Sequence, residues 1–99
     1  MGNLRLIIHA PTAASLERGR RNIANLLKAD PTAQVELVIN AGAVSAALNA
    51  PSPLDNHLRV CQNTLAANQL VAPDGVAVVA AAVLHIVQRQ AEGWGYMRA

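Results

Sequence analysis

Five short apolar runs alternate along the chain with segments that carry apolar residues at helical spacing. The first run, residues 4–9, is compact and rich in branched side chains, as is typical of a buried strand. The last run alternates small and large side chains, which favours an edge strand. The pattern predicts strands at residues 4–9, 35–39, 57–61, 76–80 and 94–97.

The segments between these runs predict helices. In residues 14–29, Leu16, Ile23, Leu26 and Leu27 fall on one face at helical period. Shorter helices are predicted at residues 44–48, 63–68 and 82–90. Regular alternation of strand and helix indicates an α/β fold, with a mainly parallel sheet, right-handed crossovers and helices on both faces.

Composition narrows this picture. A chain of 99 residues fits one domain with one core, so residues 1–99 are predicted to form a single domain. Charged residues make up 14% of the chain, against about a quarter in ordinary soluble domains. So little charge predicts exposed apolar surface and therefore self-association into a homo-oligomer.

The net charge of +2 does not favour a nucleic-acid partner. The basic residues Arg18, Arg20 and Arg21 form the main cluster, on the first predicted helix, and we interpret them as a solvated helix face. Nucleic-acid binding surfaces instead combine a basic stripe with interleaved aromatic residues, and the chain has one Trp, one Tyr and no Phe. No nucleic-acid partner is expected.

A single cysteine excludes an internal disulfide and a zinc site built on several thiolates. The three histidines do not show metal-ligand spacing, and neither a Gly-x-Gly-x-x-Gly motif nor a P-loop occurs, so no metal and no cofactor are expected. The apolar run at residues 76–87 is shorter than the ~20 residues of a membrane span. The sequence predicts a cytoplasmic protein with a reduced thiol and no membrane contact.

Cys61 is the candidate for chemistry. A lone cysteine in an apolar chain is more often a buried, inert side chain. Its position favours reactivity, because the strand at residues 57–61 ends here and a helix follows. A thiol at a helix N-terminus meets free backbone N–H groups and the positive end of the helix dipole, and both favour the nucleophilic thiolate. Asn63 and Thr64 add polar groups beside it.

His9 and Asn40 are the other candidate site residues. They end the first and second strands, and in parallel sheets the carboxyl ends of the strands border the ligand crevice. His9 is predicted to act as a base or hydrogen-bond donor toward a sulfur anion, the alternative being a structural strand-end histidine. His57 begins a strand and is expected at the opposite rim. His85 is expected on a packed or subunit-facing side of the last helix.

Four motifs, in order along the chain, resemble the DsrE/DsrF-like family, which is associated with intracellular sulfur oxidation and sulfur relay. They are Leu-Val-Ile-Asn-Ala-Gly at residues 37–42, Val-Cys-Gln-Asn-Thr-Leu at 60–65, Gly-Val at 75–76, and Gln-Ala-Glu-Gly-Trp-Gly-Tyr at 90–96. The resemblance implies a three-layer α/β/α domain with a five-stranded parallel sheet. It also implies oligomers, commonly trimers or hexamers.

The resemblance also implies an activity. In active family members the cysteine that matches Cys61 accepts sulfane sulfur as a persulfide and passes it to a partner protein. The first hypothesis is therefore a sulfur carrier or sulfurtransferase-like protein that uses Cys61, with His9, Asn40, Asn63 and Thr64 contacting the substrate. The alternative is a non-catalytic, oligomeric small-ligand-binding or scaffold subunit in which Cys61 is inert.

Overall fold

A parallel sheet of five strands forms the middle layer of the protein, which we describe from a computed structural model covering residues 3–99. The strands are β1 (Arg5–Ala10), β2 (Gln34–Ile39), β3 (Leu58–Cys61), β4 (Ala77–Val79) and β5 (Gly95–Arg98). The helices are α1 (Ala13–Ala29), α2 (Gly42–Asn49), α3 (Gln62–Ala67) and α4 (Ala82–Ala91), with a short 3-10 turn at Asp55–His57. The α/β fold and the number of elements predicted from the sequence are confirmed.

The order of the strands across the sheet is β4-β3-β2-β1-β5. The chain moves stepwise from β1 to β4 and then returns to the far edge for β5, beside β1. Connections between parallel strands are right-handed. A connection that runs across the sheet in the opposite direction, as from β4 back to β5, therefore places its helix on the opposite face. Helices α1, α2 and α3 therefore cover one face, and α4 alone covers the other, which gives three layers.

Two cores separate these layers, and alternate side chains of each strand enter opposite cores. On the α1 face, Ile8, Leu37 and Val60 pack with helix residues such as Ile23 and Leu65. On the α4 face, the buried cluster is smaller and contains Ile7, Val38, Cys61, Ala82 and Trp94. Cys61 therefore belongs to the side of the sheet that a single helix covers.

The N-terminus of α1 is fixed by a capping box. The Thr12 hydroxyl accepts a hydrogen bond from the Ser15 amide, and the Ser15 hydroxyl accepts one from the Thr12 amide. Farther along α1, Gly19 permits close contact with the sheet, since a Cβ at this position would lie 2.7 Å from Leu37 Cδ1. Within residues 3–99 no helix is long and apolar enough to cross a membrane.

Candidate functional site

Three polar or reactive side chains lie in a row across the carboxyl ends of β1, β2 and β3. The register pairs Ala10 with Ile39 and Ile39 with Val60, so the chain positions of His9, Asn40 and Cys61 are neighbours on adjacent strands. Side chains alternate along a strand, and these three positions share the α4 face. The structure thus brings His9, Asn40 and Cys61 to one edge of the sheet.

This edge contains a point where the chain connections diverge. The helix that follows β3 covers one face of the sheet, while the helix that follows its neighbour β4 covers the other. In open α/β sheets, ligands bind in the crevice that such a divergence leaves outside the carboxyl ends. Cys61 is the last residue of β3 and the N-cap of α3, so it lies at this crevice.

The Cys61 thiol is 5% exposed, and backbone N–H groups from two directions approach it. The amide of Ala82, the first residue of α4, donates to Cys61 Sγ at 3.4 Å. From its own side of the crevice, Asn63 and Thr64 in the first turn of α3 lie close enough to lower the pKa of the Cys61 thiol, but the thiol accepts no capping hydrogen bond from this helix. Both α3 and α4 therefore begin beside Cys61, and the direct hydrogen bond to Sγ comes from α4.

These contacts decide the ionisation of Cys61. Burial removes water from the thiolate and by itself raises the pKa of Cys61. The hydrogen bond from the Ala82 amide, together with the nearby Thr64 amide and hydroxyl and the Asn63 amide, acts in the opposite direction and outweighs it, so the pKa of Cys61 lies below its ordinary value. The thiolate is the nucleophilic form, and this arrangement favours it.

The Thr64 hydroxyl is held between two groups. The Ala41 amide donates to Thr64 Oγ1 at 3.1 Å, and on its other side the hydroxyl helps to lower the pKa of Cys61. Ala41 itself has φ 48° and ψ −136°, a backbone conformation that residues with a Cβ rarely adopt. Such strain costs on the order of 1–3 kcal/mol and is commonly found at functional sites.

Asn63 contributes differently from what the sequence suggests. Its side chain is exposed, and its connection to Cys61 is through the backbone amide. The helix begins one residue earlier than predicted, at Gln62, with Cys61 itself as the cap. The polar character of the Asn63 side chain therefore has no direct part in the contacts around Sγ, whereas Thr64 acts through both its amide and its hydroxyl.

His9 and Asn40 contact each other directly. His9 Nε2 and Asn40 Oδ1 are 2.9 Å apart, with the imidazole N–H donating to the amide oxygen. Both residues line a cavity of about 340 Å³ beside α4, together with Ala82 and Ile86. Its remaining walls are formed by Val83, Val87, Gln90 and Tyr96.

The other two histidines lie away from Cys61. His57 ends the 3-10 turn just before β3, at the opposite end of this strand from Cys61, and its Nδ1–H donates to the Val35 carbonyl oxygen at 3.0 Å. His85 lies on α4, where its Nε2–H donates to Glu36 Oε1 at 2.6 Å. No group of three His, Cys, Asp or Glu residues that could hold a metal ion occurs in the part of the chain that the structure describes.

Sequence reasoning missed the surroundings of Glu36, a carboxylate in the middle of β2 that is 4% exposed. Besides His85, Arg89 reaches both carboxylate oxygens, at 3.1 and 2.8 Å, and Arg59 Nη2 lies 3.4 Å from Oε2. Arg89 also stacks 4.8 Å above the Trp94 ring. We call Glu36, Arg59, His85 and Arg89 the Glu36 cluster, and it fastens α4 to the sheet.

Comparison with known proteins supports the fold and does not name an activity. No protein-family model matches the chain, and no curated protein matches it either. Among solved structures, the chain is similar to MTH1491 from Methanobacterium thermoautotrophicum, a protein of unknown function. The two chains share 27% sequence identity and a TM-score of 0.82 over 98% of this chain and 100% of the other.

Proposed function

We propose that the protein is a sulfur carrier that accepts sulfane sulfur on Cys61 and passes it to a partner protein. The observation that carries this proposal is the hydrogen bond from the first amide of α4 to Sγ, which acts together with the neighbouring Asn63 and Thr64 groups of α3 to lower the pKa of the thiol. The resemblance of residues 60–65 to the cysteine motif of sulfur-relay proteins agrees with it.

The proposed reaction needs no external oxidant or reductant. The Cys61 thiolate attacks the outer sulfur of a donor R–S–SH, the donor's S–S bond breaks, and R–S⁻ leaves with the electron pair. The product is Cys61–S–SH, with the proton retained on the transferred sulfur. A thiolate of the acceptor protein then attacks that outer sulfur and regenerates the Cys61 thiolate. The same N–H groups stabilise the thiolate before and after transfer.

Incubation with inorganic polysulfide is expected to add about 32 Da to the intact protein, because one sulfur atom is added per Cys61 persulfide. Intact mass spectrometry measures the adduct, and dithiothreitol should remove it. The Cys61→Ser variant is the control and should show no adduct. An unmodified wild-type protein, or the same adduct on Cys61→Ser, would rule out Cys61 as the sulfur acceptor.

A second candidate function is a non-catalytic small-ligand-binding subunit. A further cavity of about 300 Å³ favours it, at the opposite end of β3 from Cys61 and beside the loop that contains Pro51 and Ser52. In that case Cys61 would be only a buried core residue. Fast labelling of Cys61 by iodoacetamide in the native protein at neutral pH, compared with the urea-unfolded chain, would count against this candidate.

We also propose that the protein forms homo-oligomers through the outer surface of α4. Val83, Leu84 and Val87 on α4 are 49–71% exposed, so this helix presents large apolar side chains to solvent. Leu84→Asp is expected to shift the assembly toward the monomer, because it places a charge where apolar contact is needed.

Size-exclusion chromatography with light scattering measures this shift. Asn25→Asp, an exposed substitution on α1 at the other face of the sheet, is the matched control and should leave the mass unchanged. A wild-type protein that is monomeric at micromolar concentration would contradict the proposal.

A further inference from the structure

The first turn of α4 makes few contacts that fix its position over the sheet. Ala82, whose amide donates to Cys61 Sγ at 3.4 Å, is the one buried residue within Ala82–Ala91. The N-cap of the helix is Ala81, and no side chain caps this end of α4. Ile86 adds a partly buried contact with the small core on this face. Capping and hydrophobic contact therefore do little to determine where α4 begins.

The Glu36 cluster provides the strongest attachment of α4 to the sheet. His85 lies one helical turn beyond Ala82, and its Nε2–H donates to Glu36 Oε1 at 2.6 Å. One turn farther along, Arg89 donates to both carboxylate oxygens, at 3.1 and 2.8 Å. Glu36 is 4% exposed and belongs to β2, the central strand of the sheet. Two consecutive turns of α4 are therefore bonded to one buried carboxylate.

The same carboxylate also contacts the strand that carries Cys61. Arg59 precedes Cys61 by two residues on β3, so both side chains lie on the α4 face. Arg59 Nη2 lies 3.4 Å from Glu36 Oε2, and its Nη1 donates to the Leu58 carbonyl oxygen at 2.8 Å. The donor and the acceptor of the Ala82–Cys61 hydrogen bond, one on α4 and one on β3, are thus both connected to Glu36.

We propose that Glu36 and His85 are positioning residues of the sulfur site, which hold the start of α4 where the Ala82 amide reaches Cys61 Sγ. They act through the helix and not by touching the reacting atoms. The inference rests on the proposed function of Cys61 and adds residues on which its thiolate depends. Hydrogen bonds weaken steeply with distance and angle, so a small displacement of α4 is enough to weaken a bond of 3.4 Å.

Charge and position have opposite effects on Cys61. Glu36 lies four residues along β2 from the level of Cys61, or about 13 Å. Removing its negative charge would directly favour the thiolate and lower the pH at which Cys61 ionises, although only weakly at this distance. Releasing α4 takes a hydrogen bond away from the thiolate and raises that pH. The sign of the change therefore distinguishes a positioning role from a direct electrostatic one.

The test measures the rate of iodoacetamide labelling of Cys61 against pH, in native wild-type protein and in Glu36→Gln, which keeps the size of the side chain. The pH at which the rate is half-maximal is expected to rise. The thiolate fraction is the rate divided by the limiting rate at high pH, which removes any change in reagent access. About one pH unit below the wild-type midpoint, this fraction should fall about fivefold, against about tenfold for complete loss of one hydrogen bond to a charged group.

A second variant and two controls complete the test. His85→Ala should raise the midpoint pH as Glu36→Gln does, and the double variant should raise it little more than the larger single change, because both remove the same bond. Ile23→Val removes a methyl group from the core on the α1 face, so it lowers stability without contact with α4. Glu92→Gln removes the exposed carboxylate that also pairs with Arg89. Both controls should leave the midpoint unchanged.

The outcomes separate this inference from the function on which it rests. If Glu36→Gln and His85→Ala leave the midpoint unchanged or lower it, the positioning role is overturned, and the carrier function stands as long as polysulfide modifies wild-type Cys61. If Ile23→Val raises the midpoint as much as Glu36→Gln, the effect is a general loss of stability and the inference is also overturned. If the midpoint rises as expected while polysulfide leaves wild-type Cys61 unmodified, the carrier function fails and the positioning role stands.

Discussion

Replacing Glu36 with alanine is expected to lower the free energy of unfolding by about 3 kcal/mol. Glu36 is 4% exposed and accepts hydrogen bonds from His85 and Arg89, with Arg59 close by. Its removal takes away the carboxylate that these three cationic or donor groups share, so the imidazole and the guanidinium N–H groups directed at it lose their acceptor. The Arg59 and Arg89 side chains are 25% and 30% exposed, so water can partly solvate them in the variant. The expected loss of folding free energy is therefore at the low end of the range for a broken buried ion pair.

Urea unfolding followed by circular dichroism measures this change, and thermal unfolding should show a decrease in Tm of about 15 °C. The matched control is Glu92→Ala. Glu92 also bonds to Arg89, at 2.9 Å, but its side chain is 52% exposed, and an exposed pair contributes about 0–1 kcal/mol. Equal losses of stability from the two substitutions would show that the Glu36 cluster is not buried in solution.

Glu36 also predicts how stability depends on pH. Burial raises the pKa of Glu36, but hydrogen bonds from Arg89 and His85 and the charge of Arg59 outweigh burial, so the pKa in the folded protein lies below its ordinary value. A carboxyl with a lowered folded-state pKa stabilises the fold fully above its unfolded-state pKa. This contribution is lost as the pH falls through the lower, folded-state pKa. Glu36→Gln should therefore flatten the loss of stability in acid.

The strands and helices could be predicted from the sequence because the spacing of hydrophobic residues reflects local secondary structure. Each of the five apolar runs forms a strand. The strand that ends at Cys61 was predicted to begin at His57, and it begins one residue later, because His57 belongs to the 3-10 turn. The order of the strands was not predicted, because it depends on which strands pair. That order places the start of α4 beside Cys61, 21 residues away along the chain.

The Glu36 cluster was missed for a related reason. A single acid within the apolar run of β2 resembles the polar face of a half-buried strand, yet β2 lies between β1 and β3 and is covered on both faces. Once both faces are covered, the carboxylate needs partners inside the protein. His85 and Arg89, spaced by four residues on one side of α4, were the signal that could have indicated them.

The alkylation rate of Cys61 at neutral pH is expected to fall about tenfold when Thr64 is replaced by valine. The Thr64 hydroxyl is one of the groups that lower the pKa of Cys61, against the opposing effect of burial. Valine keeps the shape of threonine and removes this donor. One hydrogen bond to a charged group is worth about 1.5 kcal/mol, which corresponds to roughly a tenfold change in rate through the thiolate population.

The measurement is the iodoacetamide rate as a function of pH. In wild type the pH at which the rate is half-maximal should lie below that of an ordinary thiol. Thr64→Val should raise this midpoint pH and leave the limiting rate at high pH unchanged. Thr64→Ser restores the hydroxyl and should restore the midpoint. If Thr64→Val and wild type share one profile, the backbone amides of Asn63, Thr64 and Ala82 alone set the ionisation of Cys61. A midpoint that moves with the hydroxyl would instead make Thr64 a positioning residue of the sulfur site, since the Ala41 amide fixes its oxygen at 3.1 Å.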